Sequence, residues 1–430
     1  MNILIKNIDY LDILKETVVN NKDILIKENK IVKIGSNLKV KNVEVMDGQD
    51  KLAIPGLINS HTHLGMAMFR NYADDMELMD WLENKIWPIE NHLSSEDIYW
   101  SSLLSMAEMI RSGTTTFCDM YYGMERVADA TIESGMRGLL TRGLTDIGGG
   151  GKERLQNLEE LYRRYHNSGK GRIRIAPGPH AIYTCSRKYL EEIVQLTEKM
   201  DGILHIHLSE TETEVENSIK EHGMTPIEYI HSIGMTDLHV IAAHCVHITE
   251  KEMEIIGDRP FYPVYNPTSN LKLASGFAPV KALLEGGITM GLGTDGSSSN
   301  NNQNMLEEIH IASIVNKAVT MDPKAVPAIE VLKMATIHGA KSLGFENLGA
   351  IEEGYLADIV LLDLNSNQFT PRNERINALC YSANSSDVSD VIIDGNIIMR
   401  NRELLTLDET IIRMMVTQRW NDLLDKYERV

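Results

Sequence analysis

Eight short β-rich runs alternate with longer amphipathic stretches along the chain, and this alternation limits the folds available to it. The runs are "KLAIPGLINSHTH", "TTTFCDM", "MRGLLTRG", "RIRIAPGPH", "GILHIHLSE", "HVIAAHCVH", "PFYPVYNP" and "ITMGLGTDG". Stretches between them, such as "SRKYLEEIVQLTEKM", space apolar residues three and four apart, which is typical of helices packed on a sheet. The pattern predicts an α/β fold, a (β/α)8 TIM-type barrel. An open doubly wound sheet would need a glycine-rich phosphate turn where the chain has "NSHTHLG".

Both ends of the chain lie outside this alternation. The segment "DILIKENKIVKIG" predicts two strands around a Glu-Asn-Lys turn, and "VSDVIIDGNIIMRNREL" places "DG" as a hairpin turn. We therefore expect the two ends to combine into a small β-sandwich beside the barrel. The predicted division is residues 1–50 for its first part, 51–355 for the barrel, and 356–430 for its second part with a C-terminal helix.

Composition limits the partners of the protein. A formal net charge of -19 disfavours nucleic acids and anionic membranes, so we expect a small-molecule partner. The N-terminus has no signal-peptide pattern and no apolar run is long enough for a membrane helix. The four cysteines form no C-x-x-C pair, which suits a reducing cytosol, and we expect a cytoplasmic protein. Whether the barrel forms a homo-oligomer stays open.

Metal-type donors close several of the predicted strands. His61 and His63 end the first strand, His207 ends the fifth, and Asp295 ends the eighth. Residues i and i+2 of a strand share a face, and the carboxyl ends of barrel strands share one rim. Three imidazoles and a carboxylate suit a zinc-like divalent ion, with a water molecule completing the shell. We therefore predict these four residues as metal ligands.

Two further residues near the predicted ligands carry candidate catalytic roles. A divalent ion lowers the pKa of its water to near neutrality, so Glu210 could take a proton from that water and hand it to the substrate. His244, which ends the sixth strand, would steady the attacking oxygen. His205 shares a strand face with His207 and receives no role.

Each of these residues also has a plainer explanation when it is taken alone. An isolated H-x-H is more often a pair of partly buried histidines, Glu210 a solvated loop acid, and His244 a hydrogen-bonded core histidine. What favours the metal site is that each contributing strand end supplies its donor at the expected register.

The motifs together resemble a known family. "PGLINSHTH", "HIHLSE", "AAHCVH" and "LGTDG" resemble the amidohydrolase superfamily. "FRNYADDMELMDWLENKIWPIE", "GPHAIYTCS", "NPTSNLKLASGFAPV" and "GTDGSSSNNN" resemble its 5-methylthioadenosine/S-adenosylhomocysteine deaminases, over nearly the whole chain. The resemblance implies one divalent ion, usually zinc with iron or nickel as alternatives. It also implies hydrolytic deamination of the adenine ring of these nucleosides, with adenosine as a third candidate substrate.

The resemblance also implies a nucleoside-binding site. Glu90 would hold the ribose hydroxyls, Trp81 would cover the nucleoside, and His180 would contact it. Arg142 looks like the carboxylate-binding arginine of the family, with Arg154 as a second, since a guanidinium fork matches a carboxylate. Alternatively, Trp81 belongs to a helix core, Glu90 is an acid at a helix start, and both arginines form surface ion pairs.

The resulting hypothesis makes Glu210, His244 and Asp295 the catalytic residues. Glu210 delivers a proton to N1 of the ring and so also contacts the substrate, while Asp295 passes the hydroxyl proton to the amine. Two alternatives stay open. A guanine deaminase or chlorohydrolase would share the metal ligands, and a non-catalytic scaffold would share the fold but be expected to lack a ligand.

Overall fold

The structure, a computed structural model, describes residues 2–427. Its strands form one sheet from both chain ends and two parallel sheets between them. The strands are β1 (Asn2–Asp12), β2 (Thr17–Lys27), β3 (Lys30–Gly35), β4 (Glu44–Asp47), β5 (Lys51–Pro55), β6 (Leu57–Thr62), β7 (Thr114–Tyr121), β8 (Arg137–Leu144), β9 (Ile173–Pro179), β10 (Ile203–Leu208), β11 (His239–His244), β12 (Phe261–Tyr265), β13 (Gly291–Leu292), β14 (Ile359–Asp363), β15 (Val388–Ile393), β16 (Asn396–Arg400) and β17 (Glu403–Leu404).

Helices follow most of the central strands. They are α1 (Leu78–Trp81), α2 (Trp87–Glu90), α3 (Ser95–Arg111), α4 (Met124–Ser134), α5 (Gly151–Tyr165), α6 (Ser168–Gly171), α7 (Arg187–Glu198), α8 (Glu212–His222), α9 (Pro226–Ser232), α10 (Glu250–Ile256), α11 (Pro267–Lys272), α12 (Val280–Glu285), α13 (Met305–Thr320), α14 (Ala328–Met334), α15 (Ile337–Ser342), α16 (Arg375–Tyr381) and α17 (Glu409–Tyr427). A π-helical turn, Leu82–Ile86, separates α1 from α2. Among the described residues, no helix is both long and apolar enough to cross a bilayer.

The eight central strands form two parallel sheets of four, β6 to β9 and β10 to β13. The sheets are joined at both seams by backbone hydrogen bonds. The His207 amide donates to the His180 carbonyl and the Asp295 amide donates to the His61 carbonyl, each at 3.0 Å. The predicted α/β class and barrel arrangement are confirmed, and each of the eight predicted runs contains a central strand.

One layer of apolar side chains fills the interior beneath the strand ends. Seven of the eight central strands contribute one residue each, so side chains from both sheets pack into a single cluster. The contributing residues are Ile58, Cys118, Leu139, Ala176, Ile203, Ile241 and Val264. The layer forms a packed floor, and polar residues that follow it along the strands therefore lie above an apolar base.

The two chain ends join in one nine-stranded sheet, which confirms that they combine into a separate β-structure beside the barrel. β14 pairs with β5 in antiparallel register, and β5 continues to β1, β2 and β3. Side chains from both halves, including Ile5, Ile24, Ile359 and Ile392, pack in one core. The predicted "DG" turn lies between β15 and β16, where Asp394 and Gly395 both adopt positive φ, the geometry of a type I′ hairpin.

The first predicted run divides between the two structural parts. β5 belongs to the end sheet, whereas β6 pairs with β7 in the barrel. The switch occurs at Gly56, whose amide donates to the Asp358 carbonyl while the next amide, of Leu57, donates to Gly113. A Cβ at Gly56 would lie 2.2 Å from the Thr115 hydroxyl, so the crossing requires glycine. The division at residues 50 and 355 stays a prediction.

A buried ion cluster connects the barrel to the end sheet. Arg137, the first residue of β8, donates through Nε and Nη2 to both carboxylate oxygens of Asp358, each at 3.1 Å. Its Nη2 also lies 3.1 Å from Asp394 of the hairpin turn. All three side chains are nearly inaccessible to solvent. Two carboxylates therefore depend on one guanidinium at the interface.

Replacing Arg137 with Met should destabilise the protein by about 3–5 kcal/mol, because two buried carboxylates lose their counter-charge. Urea unfolding followed by circular dichroism measures this change. Arg163→Met, on the exposed face of α5, is the matched control and should cost less than about 0.5 kcal/mol. Equal stability of the two variants would contradict a role for the cluster in holding the parts together.

Candidate metal centre and active site

The four residues predicted as metal ligands meet at the carboxyl ends of the barrel strands. His61 and His63 come from the end of β6, His207 from β10, and Asp295 follows β13. Oδ1 of Asp295 lies 3.3 Å from Nε2 of His61 and 3.3 Å from Nε2 of His63. Nε2 of His207 lies 3.2 Å from Nε2 of His63. Four residues from three distant segments thus aim their donor atoms at one point.

The orientation of the imidazoles fits a cation. Nδ1 of His63 lies 2.5 Å from the Met120 carbonyl, and Nδ1 of His207 lies 2.8 Å from the His180 carbonyl. A carbonyl only accepts, so both rings donate their Nδ1 proton outwards and turn Nε2 inwards. Nε2 of His61 is buried without a hydrogen-bond partner. Inward lone pairs beside a carboxylate are the donor set of a divalent ion.

Burial and the interaction between Asp295 and the imidazoles shift the pKa values of the site residues. Burial lowers the pKa of His61 to about 4, so this ring is neutral at pH 7. Burial also opposes charge on His63, but the neighbouring Asp295 raises the pKa of this ring to about 9. Burial likewise opposes the charge of Asp295, but the two imidazoles hold its pKa well below the usual range. A divalent cation would replace the His63 proton, since a ligating imidazole is neutral.

Hydroxyl and amide donors hold the Asp295 carboxylate in place. Ser269 and Ser299 donate to Oδ2 at 2.6 and 3.0 Å, and the Gly296 amide donates to Oδ1 at 2.7 Å. Asp295 itself has a φ of 64°, an uncommon conformation for a non-glycine residue. The "NPTSN" and "GTDGSSS" motifs therefore carry residues that orient this carboxylate, which the sequence reasoning missed.

Glu210 and His244 lie together beside the four predicted ligands. Oε2 of Glu210 lies 3.6 Å from Nε2 of His244. The Asn270 amide donates to Nδ1 of His244 at 2.9 Å, which places the ring proton on Nε2, facing Glu210. Burial raises the pKa of Glu210 to about 8, and the charge of Asp295 adds to this. Glu210 can therefore carry a proton at neutral pH. A ring nitrogen of His244 also lies within 4.8 Å of ring nitrogens of His61 and His207.

Glu214 supports Glu210 from the first turn of α8, and the sequence reasoning missed it. Its two carboxylate oxygens accept the backbone amides of Ser209 at 3.0 Å and Glu210 at 2.8 Å. The Thr211 side chain in turn accepts the Glu214 amide at 3.1 Å. Thr-x-x-Glu is the sequence signature of a helix start, so "TETE" was a usable signal. Here the acid reaches further back, to the loop that carries Glu210.

A cavity opens over these residues and brings in part of the predicted nucleoside site. Trp81, Glu90 and His180 line it, together with His63, His207 and Asp295. The Glu90 carboxylate accepts the Tyr121 hydroxyl at 2.5 Å, and the Trp81 ring nitrogen donates to the Ala73 carbonyl at 3.0 Å. Further aromatic rings line the same cavity, those of Trp87, Tyr121, Tyr122 and Tyr183.

The two predicted carboxylate-binding arginines lie next to the cavity. Among the described residues that line the cavity, neither Arg142 nor Arg154 is present. Arg142 donates to the Gly143 carbonyl at 2.7 Å and Arg154 donates to the Thr145 carbonyl at 2.8 Å. Gly143 and Thr145 do line the cavity. A side-chain rotation would therefore be needed for either guanidinium to reach a ligand there.

Comparison with known proteins places the chain in a family. Residues 52–398 match the amidohydrolase family, which is most of the chain. The chain belongs to the amidohydrolase family. A 5-methylthioadenosine/S-adenosylhomocysteine deaminase from Thermoanaerobacter pseudethanolicus is 51% identical over 99% of this chain and 100% of its own. A 5'-deoxyadenosine deaminase from Methanocaldococcus jannaschii is 48% identical over 92% of this chain and 96% of its own.

Solved structures of other amidohydrolase-like proteins share the fold. An adenosine deaminase from Xanthomonas campestris with bound zinc superimposes with a TM-score of 0.94, at 31% identity, over 100% of this chain and 99% of its own. The atrazine chlorohydrolase of Arthrobacter aurescens complexed with zinc gives 0.92 at 26% identity, over 97% of this chain and 100% of its own. Zinc-bound neighbours and the histidine-rich cluster agree on a metal site in this amidohydrolase.

Glu214→Gln should reduce kcat roughly tenfold to a hundredfold, because the NH2 group that replaces one carboxylate oxygen only donates and would face a backbone amide, so the Glu210 loop shifts. Steady-state kinetics with the best substrate measures this, and metal content should stay unchanged. Glu216→Gln, exposed on the same helix, is the control and should keep wild-type kcat. A wild-type kcat for Glu214→Gln would show that the Glu210 loop holds its place without this contact.

Proposed function

We propose that this amidohydrolase removes the 6-amino group of the adenine ring in 5'-methylthioadenosine and S-adenosylhomocysteine by hydrolysis, releasing ammonia. The main observation in support is that Glu210 and His244 lie beside the imidazoles of the proposed metal ligands, in one aromatic-lined cavity. Relatives at 44–51% identity over nearly the full length carry that activity in their names. We also propose His61, His63, His207 and Asp295 as the ligands of one divalent ion, zinc in the first instance.

In the proposed chemistry Glu210 and Asp295 each carry one proton, and His244 stabilises the attacking oxygen. A divalent ion, when bound, supplies acidified water near neutral pH. Glu210 accepts the first proton and delivers it to N1, which makes C6 electrophilic. The Nε2 proton of His244 faces the attacking oxygen and stabilises the charge that develops there. Asp295 takes the second proton and passes it to the amine, so the C6–O bond forms and the C6–N bond breaks.

The cavity explains recognition of a nucleoside. Trp81 and the neighbouring rings offer flat apolar surface for the purine, while Glu90 offers a carboxylate for the ribose hydroxyls. His180, which follows β9, would contact the nucleoside. Arg142, with Arg154 beside it, would turn into the cavity to bind the carboxylate of the homocysteine tail in a two-pronged contact. The methylthio group carries no such charge and would lie against the tyrosines.

A substrate panel tests the proposal. Loss of the adenine chromophore in ultraviolet spectra should follow incubation with 5'-methylthioadenosine or S-adenosylhomocysteine. Turnover of adenosine and 5'-deoxyadenosine measures how strongly the enzyme discriminates between 5' substituents. 5'-Deoxyadenosine is included because the archaeal relative is named for that substrate. Turnover of guanine or a chlorotriazine, with none of the adenine nucleosides, would instead support the alternative amidohydrolase activities.

Glu210→Gln should lower kcat by roughly 10²–10⁴-fold while metal content stays at the wild-type level, because the amide cannot carry the proton to N1. Absorbance kinetics and elemental analysis on the same preparation measure both quantities. Glu216→Gln again serves as the control. Near-normal kcat in Glu210→Gln would remove its assigned role.

Arg142→Met should raise KM for S-adenosylhomocysteine by roughly tenfold to a hundredfold, the range expected for a lost charge-assisted hydrogen bond of about 1.5–3 kcal/mol. KM for 5'-methylthioadenosine, which lacks the carboxylate, should stay near wild type and provides the internal control. An equal rise for both substrates would indicate a structural effect of the substitution and would count against a carboxylate contact.

A further inference from the structure

His205 lies within the barrel, next to the proposed metal ligands and without an assigned role. It is fully buried on β10, two residues before His207. Its Nε2 lies 2.9 Å from Nδ1 of His61. Its Nδ1 lies 3.1 Å from Oγ1 of Thr141 on β8. The ring therefore bridges a strand of the barrel wall and the first proposed ligand.

The Asp119 carbonyl, at the end of this hydrogen-bond chain away from His61, determines the direction of its hydrogen bonds. Oγ1 of Thr141 lies 2.8 Å from the Asp119 carbonyl, which accepts only, so the Thr141 hydroxyl proton points there. Thr141 is then left to accept the Nδ1 proton of His205. Cys118 Sγ lies 3.4 Å from the same Nδ1, but a thiol is a weak partner.

The proton position on His205 in turn determines the proton position on His61. With its proton on Nδ1, His205 presents a lone pair on Nε2 and accepts the Nδ1 proton of His61. His61 then carries no proton on Nε2, and Nε2 is the atom that lies buried without a hydrogen-bond partner, 3.3 Å from Asp295. A carbonyl on β7 thus sets, through two side chains, which nitrogen of His61 carries the proton and leaves Nε2 unprotonated.

We propose that Thr141 and His205 are positioning residues that fix His61 in the tautomer able to bind the ion. The inference rests on the proposed metal-dependent function. His63 and His207 obtain the same outcome directly from backbone carbonyls. Nδ1 of His61 points towards the barrel interior, where its partner is the His205 side chain. His205 can accept the His61 proton only if its own proton is on Nδ1. The opposite tautomer would aim an N–H at the cation and block ligation.

Thr141→Val tests the proposal because it keeps the side-chain shape and removes the acceptor. The apo protein is prepared with a chelator, and its zinc affinity is measured by competition. Affinity should fall roughly tenfold to a hundredfold, the usual effect of losing a hydrogen bond behind a ligand. Thr141→Ser restores the hydroxyl and should return the affinity close to wild type.

Thr116→Val is the matched control. Thr116 is buried on neighbouring β7 with a hydroxyl that has no hydrogen-bond partner, so the same substitution should leave zinc affinity unchanged. An equal loss of affinity in both valine variants would assign the effect to general disturbance of the barrel and overturn the proposal. Wild-type affinity in Thr141→Val would overturn it as well.

Nitrogen-15 spectra of the histidine rings in the wild-type apo protein give a second measurement that needs no variant to fold. His61 and His205 should both show a protonated Nδ1 and a bare Nε2. A proton on Nε2 of His61 would overturn the inference, whatever the activity assays show. Absence of adenine deamination alongside normal zinc binding and these tautomers would count against the proposed function alone.

Discussion

The convergence of imidazole lone pairs on the Asp295 carboxylate is the interaction on which the site depends. The Nε2 atoms of His61, His63 and His207 face one point beside the Asp295 carboxylate at the base of the cavity. Without a cation, the balance requires a proton on His63, whose pKa is raised by the same carboxylate. The barrel thus holds a donor set whose electrostatics favour a positive charge at its centre.

The fold keeps this arrangement because the donors lie on rigid strand ends above a packed floor. A side chain from nearly every central strand fills the layer beneath, so a shift of one strand would disturb its neighbours. Two of the proposed ligand residues themselves form hydrogen bonds at the seams, through the amides of His207 and Asp295. The structural closure of the barrel and the geometry of the metal centre therefore depend on the same residues.

Sequence reasoning identified most residues of the candidate site because barrel enzymes place their catalytic residues at one end of their strands. His61, His63, His207 and Asp295 were found from their positions at strand ends, and Glu210 from its distance to His207. Supporting contacts were missed where the partner is distant in sequence, as for His205 with His61, or is a backbone group, as for Glu214. Arg142 lies in a recognisable motif, but neighbouring residues in the sequence do not reveal that its side chain bonds the Gly143 carbonyl.

The sequence alone determined the strand and helix alternation, the donor types and the family, because periodicity and local motifs encode these directly. It also placed the hairpin turn at Asp394, where the need for positive φ selects Asp-Gly. Only the tertiary structure decided the crossing at Gly56, the shared burial of Arg137 with two distant acids, and the hydrogen-bond partners of the site imidazoles. These features depend on which groups from separate strands come within hydrogen-bonding distance. Such groups are distant in sequence and meet only in the folded barrel.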